Sequence, residues 1–186
     1  MRGKFMPERT DLTDYRPLFY CEGSAERVIV ETLLEAHMLI FEPKDAVWDT
    51  IADRPTIQRG KRKNLISQYL QLDYEKPVAI LRILDSRNEK FSLPPAYSHI
   101  PVIDFHTRPE SEILCIVHEG KWADWKNTSL KPSEYCRTEL GFGSVKSERF
   151  LRKYWCAPDD LREALIEYER IHDRQGGERG IASLLK

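Results

Sequence analysis

No apolar run in this chain approaches the roughly 18–20 residues that a membrane-spanning helix needs, which excludes a helical span. Net charge is nearly absent as well. Against 29 Lys and Arg stand 30 Asp and Glu, leaving −1 over 186 residues, so no global field draws in DNA or RNA and any nucleic-acid site must be a local patch. Cysteine is scarce and scattered: Cys21, Cys115, Cys136 and Cys156 form no C-x-x-C pair, and the amino terminus carries no apolar signal-peptide core. Reduced thiols in a cytoplasmic protein are the expectation, with no structural zinc. A glycine-rich phosphate loop, H-E-x-x-H, G-x-S-x-G and internal repeats are all missing, which removes a built-in ATPase and several hydrolase classes. What the chain does have is material for a core, with 41% hydrophobic residues and 10% aromatics. That suits one α/β domain with an appended helical part rather than disorder.

The organising stretch is Pro17 to Glu26, an apolar run that ends on Glu22 and Gly23 and passes at once into a helical pattern. Leu18 to Cys21 have strand character, Gly23 permits the turn, and Ser24 to Met38 place Val28, Leu33, Leu34 and Met38 at helical spacing. Glu22 then sits at the carboxyl end of a strand, where open α/β sheets keep their ligands. Leu39 to Glu42 can form a second short strand, stopped by Pro43. Arg59, Gly60, Lys61, Arg62 and Lys63 are the densest basic cluster, and they open a helix-like segment carrying Leu65, Ile66, Tyr69 and Leu70. Basic residues at a helix start suit a phosphate ligand better than they suit the helix, although a solvated basic turn has the same composition.

Pro77 to Asp85 is the clearest strand, an aliphatic run fit for the middle of a parallel sheet. It ends on Asp85, followed by Ser86, Arg87 and Glu89. Ile100 to Phe105 reads as a further strand. In the segment behind it, Pro109 is placed as the first helical residue, and Glu110 and Glu112 fall in the first turn, where they complement the helix dipole. His106 and His118 flank that segment as candidate bases or ligands. From Lys121 onward the pattern is helical: helices start near Pro132 and Lys146, and another at Pro158 carries the stripe Leu161, Leu165, Tyr168 and Ile171. Trp122, Trp125, Trp155, Lys126, Lys131, Lys146, Arg149, Arg152 and Lys153 could bind a nucleic-acid backbone and stack on bases. Ordinary packing of tryptophans under solvated lysines is the favoured reading, because Glu119, Asp124, Glu134, Glu139 and Glu148 interrupt the positive field.

The segment from Cys21 to Glu26, Cys-Glu-Gly-Ser-Ala-Glu, resembles the first motif of the TOPRIM (topoisomerase-primase) fold, and more narrowly the RloB-like and OLD-type bacterial defence nucleases. The likeness covers residues 17–120. The order strand-Glu-helix, strand-Gly-helix, strand-Asp follows the TOPRIM plan, with Gly60 as the second-motif glycine. The resemblance implies a TOPRIM-like, mostly parallel sheet flanked by helices. Residues 1–16 would then form an arm, and residues 121–186 a helical cap.

It also implies that Glu22 and Asp85, completed by Glu110 or Glu112, hold Mg²⁺ or Mn²⁺ through hard oxygen ligands. Where the family has Asp-x-Asp, this chain has Asp85-Ser86-Arg87. Either Glu89 substitutes as a ligand, or Arg87 turns the site toward phosphate, or activity is lost. Arg59, Lys61, Arg62, Lys63, Arg87 and Lys121 are the implied nucleic-acid contacts. The activity implied is Mg²⁺-dependent cleavage of RNA or DNA by a toxic effector in antiphage defence (abortive infection). Such a protein acts alone or with a separately encoded ATPase or regulatory protein, as a monomer or a homo-oligomer. The alternative from another class is a non-catalytic TOPRIM-like module that binds nucleic acid or a protein in a defence complex.

Overall fold

The computed structural model describes residues 9–59, 65–86, 91–172 and 178–186. In chain order these form β1 (Arg16–Cys21), α1 (Ser24–Glu35), β2 (Trp48–Asp49), β3 (Arg54–Pro55), β4 (Ile57–Arg59), β5 (Val78–Leu84), β6 (Val102–His106), α2 (Ile113–His118), α3 (Trp122–Lys126), α4 (Pro132–Thr138), α5 (Glu148–Tyr154), α6 (Pro158–Ile171) and β7 (Arg179–Gly180). Among the described residues no helix is long and apolar enough to cross a membrane.

Five strands make one all-parallel sheet in the order β4-β1-β5-β6-β7. Counting only these strands along the chain, the order is 2-1-3-4-5, a doubly wound arrangement whose direction of winding reverses between β1 and β5. The two central strands are the most continuous apolar runs because both of their faces are covered. On one face Phe19, Cys21, Leu81, Ile83, Ile103 and Phe105 pack in a single core with α1, α2 and α6. On the other, Leu18, Tyr20 and Ile80 pack with Val47, Leu65, Tyr69 and Leu70. The chain is therefore an α/β protein with a parallel sheet flanked by helices, as its alternating pattern predicts.

Two local expectations are corrected. Residues 39–42 are not a sheet strand: Leu39 makes an isolated antiparallel bridge with Leu185. The backbone there bonds the carboxyl tail instead, with Ile40 N–H on the Leu184 carbonyl and Lys186 N–H on the Met38 carbonyl. A tight turn over Pro43–Asp45 stops the run, so the second sheet strand comes from Ile57–Arg59. Pro109 is not the first helical residue, since α2 starts at Ile113 and residues 110–112 lead into it through a turn. The reason is tertiary. The buried Tyr168 hydroxyl on α6 donates to the Arg108 carbonyl at 2.7 Å and accepts the Arg108 N–H at 3.0 Å, tying the chain down just before the proline. The helix-like segment expected after the basic cluster is helical where it is described, with Leu65 α-helical and Ile66–Leu70 a π-helical turn.

The carboxyl-terminal helices cap the sheet by sharing its core. Leu161, Ala164, Leu165 and Tyr168 of α6 lie in the same cluster as α1 and α2, each large side chain contributing about 1.5–3 kcal/mol on burial. The tail after α6 supplies the edge strand β7, in parallel register with β6 through Phe105 against Arg179 and His106 against Gly180.

Candidate functional site

Because β1 and β5 are paired in register, with Cys21 beside Ile83, the residues that follow each strand emerge side by side. Glu22 N–H still donates to the Ile83 carbonyl at 3.0 Å, which carries the ladder one residue past the strand. The Glu22 side chain then turns across the gap between the strands. Its Oε2 accepts the N–H of Asp85 at 3.1 Å, the N–H of Ser86 at 3.2 Å and the Ser86 hydroxyl at 3.0 Å. This pair stands at the point where winding reverses, the crevice in which open α/β sheets bind ligands.

The Asp85 carboxyl is pushed up to about 6, first by burial and then by the Glu22 charge, its hydrogen bond with Glu22, and the charges of Glu112 and Glu110. Those causes place Glu22, Glu110 and Glu112, three of the other acids expected from the sequence, within electrostatic reach of Asp85. Glu112 is buried, and burial raises it. Burial acts on Glu110 in the same direction but is outweighed: Ser133 N–H at 2.9 Å and Lys146 Nζ at 3.1 Å hold its carboxyl below the ordinary range. Lys146 is raised although its own partial burial opposes that, because Glu110, Glu112 and Asp85 face it.

A fifth acid, Glu26, belongs to the group and was not among those expected. It lies in the first turn of α1, is 2% exposed, and accepts a hydrogen bond from the Ser111 hydroxyl. Burial is the main force lifting it to about 7, with the charges of Asp85 and Glu112 adding to it. Gly23 makes room for this carboxylate, since a Cβ there would meet Glu26 Oε2 at 2.6 Å. The signal was the spacing Glu22-x-x-x-Glu26 around a glycine. An acid in a first helical turn ordinarily complements the dipole, which hid it.

The remaining candidates divide. Lys61, Arg62, Lys63, Arg87 and Glu89 lie outside the described residues. Arg59 ends β4 beside Cys21, exposed at the same carboxyl edge of the sheet. Lys121 is spent on a surface pair with Asp124 at 2.9 Å and joins no part of the carboxylate group. His118 packs edge-on against Tyr154 and Trp155. Trp155 is buried, and Trp122 packs on Trp125 and Tyr168, so all three of these tryptophans serve packing.

Among the described residues no three His, Cys, Asp or Glu side chains converge as a ligand group for a metal. The donor set nevertheless has the chemistry of a hard divalent cation. It is made of carboxylate oxygens alone, and burial, followed by the charges of neighbouring acids, raises Asp85 to about 6 and Glu26 to about 7. No family model, no curated protein and no solved structure matches this chain.

Proposed function

We propose that this chain is a divalent-metal-dependent nuclease of the TOPRIM-like kind, cutting RNA or DNA as an effector of bacterial antiphage defence. The observation that carries the reading is the Glu22–Asp85 pair at the winding reversal, within a carboxylate group whose crowding helps lift Asp85 to about 6. Glu22 and Asp85, with Glu112 nearby, would hold Mg²⁺ or Mn²⁺. Such an ion supplies Lewis acidity toward a phosphoryl oxygen and a water acidic enough to attack it.

The chain's own groups do the rest. Lys146, the cation facing the acids, offsets the charge that builds on a phosphoryl group during displacement. Glu26, pushed up to about 7, holds a proton near neutral pH behind the paired acids. The Ser111 hydroxyl bound to it fixes the loop that carries Glu110 and Glu112. With Cys21, Cys115 and Cys136 buried and unbridged, we place the protein in the cytoplasm, acting alone or with a separately encoded ATPase.

A specific observation favours a second reading, a non-catalytic module that binds nucleic acid or a protein. Glu22 Oε2 is already occupied by three protein donors, as in a structural staple. Incubating the chain with labelled transfer RNA, single-stranded DNA and duplex DNA in Mg²⁺ or Mn²⁺ decides between them. Cleavage that needs metal and falls at least 100-fold in Glu22→Gln and Asp85→Asn supports the nuclease. Neither cleavage nor calorimetric metal binding would leave the module standing.

A further inference from the structure

Helix α5 has four unlike sides. Leu151 is buried, with Trp155 just past the helix end. Glu148 and Arg152 turn toward α1, where Arg152 pairs with Glu31 and Glu148 lies near Arg27. The other two sides are adjacent i, i+4 stripes, one half-buried against the core and one exposed. One is aromatic, with Phe150 and Tyr154 stacked at 5.5 Å and an interplanar angle of 17°, and Phe142 from the preceding loop set 5.3 Å from each. The second stripe is basic and exposed, formed by Arg149 and Lys153.

The loop that delivers Phe142 also delivers Lys146, whose Nζ bridges to Glu110 at 3.1 Å. Aromatic faces and cations thus run on from the edge of the carboxylate group. Lys146 and Arg152 are paired with Glu110 and Glu31, so the exposed cations that this face offers a ligand are Arg149 and Lys153.

We propose that this face seats a single-stranded nucleic acid whose 3′ or 5′ continuation enters the carboxylate site. Bases would lie against the solvent-facing parts of the half-buried Phe142, Phe150 and Tyr154 rings, with phosphates on Arg149 and Lys153. The proposal rests on the nuclease reading for what happens at the end of the track, but not for the track itself. Half-buried rings beside exposed cations match the alternation of base and phosphate in an unpaired strand, whereas a duplex hides its base faces. An acidic peptide would match the cations and leave the rings unused.

The test is fluorescence anisotropy of a labelled 12-nucleotide single strand against a hairpin duplex of the same composition and a poly-glutamate peptide. It uses the full chain in EDTA so that no cleavage intervenes. The expected result is at least tenfold tighter binding of the single strand than of duplex or peptide. Phe150→Leu should weaken single-strand binding about tenfold while the melting curve stays close to that of the parent. The exposed pair Arg149→Gln with Lys153→Gln removes no packing, and should flatten the log–log salt dependence by about 1.4 for two lost phosphates. Equal binding of duplex or peptide overturns the proposal, and so does a salt slope unchanged in the double variant, even where Phe150→Leu unfolds. Loss of the nuclease reading shows instead as absent cleavage with this binding intact.

Discussion

The carboxylate of Glu22 accepts the backbone N–H of Asp85 at 3.1 Å, across the gap between two strands that part company in the winding of the sheet. A group with this contact is both a structural tie and a candidate ligand, and substitutions can separate the two roles. Glutamine keeps an oxygen for Asp85 and Ser86, so Glu22→Gln should melt within a few degrees of the parent while metal-dependent cleavage falls at least 100-fold. Glu22→Ala abandons three donors and should also lose about 1–3 kcal/mol of stability. Thermal melts beside cleavage rates check both.

The pH dependence follows from Glu26. Its folded value, about 7, lies above the ordinary 4.5, so the folded state binds the extra proton in between. Such a group contributes its stability in full below about 4.5 and loses it as pH rises through about 7. At about 1.4 kcal/mol per pKa unit the loss is about 3.5 kcal/mol at most. We expect the parent to melt lower at pH 8 than at pH 5, and Glu26→Gln to reduce that difference, as differential scanning calorimetry at the two pH values would show.

Metal and proton compete for the same oxygens under the nuclease reading. Asp85, raised to about 6, must release its proton before it can serve as a ligand. Millimolar Mg²⁺ should therefore raise the melting temperature by several degrees at pH 8 and by little at pH 5, in proportion to binding by the native state alone. A shift of equal size at both pH values would place the ion elsewhere.

Tyr168 stands apart from the carboxylates yet holds the loop that carries two of them. Its hydroxyl satisfies both backbone groups of Arg108 in a buried setting. Tyr168→Phe leaves a buried N–H and a buried carbonyl without that partner, and should cost about 2–4 kcal/mol. It should also lower cleavage well below the melting temperature, because Glu110 and Glu112 follow directly. Denaturant melts and rates measured at low temperature separate the two effects.

Much of this was legible in local pattern. The unbroken run from Val78 to Leu84 announces a central parallel strand, because only burial on both faces tolerates it. Glu22 beside Gly23, and Asp85 at the end of that run, announce residues at strand ends. Alternating strand and helix signals imply the parallel sheet. These features depend on the periodicity and chemistry of neighbouring residues, which the chain carries in one dimension.

Other features depend on partners far along the chain. Leu39 bonds to the tail rather than to the sheet, and the tail supplies a fifth strand. Arg108 is anchored by a tyrosine 60 residues away, and Glu26 by a serine 85 residues away. The sequence by itself determined the α/β class and the acids Glu22 and Asp85, since strand ends are local events. Only the tertiary structure decided that β1 and β5 are neighbours, that Glu26 joins their acids, and that Lys121 stays outside. Burial and charge proximity are properties of residues brought together by packing, and no spacing along the chain encodes them.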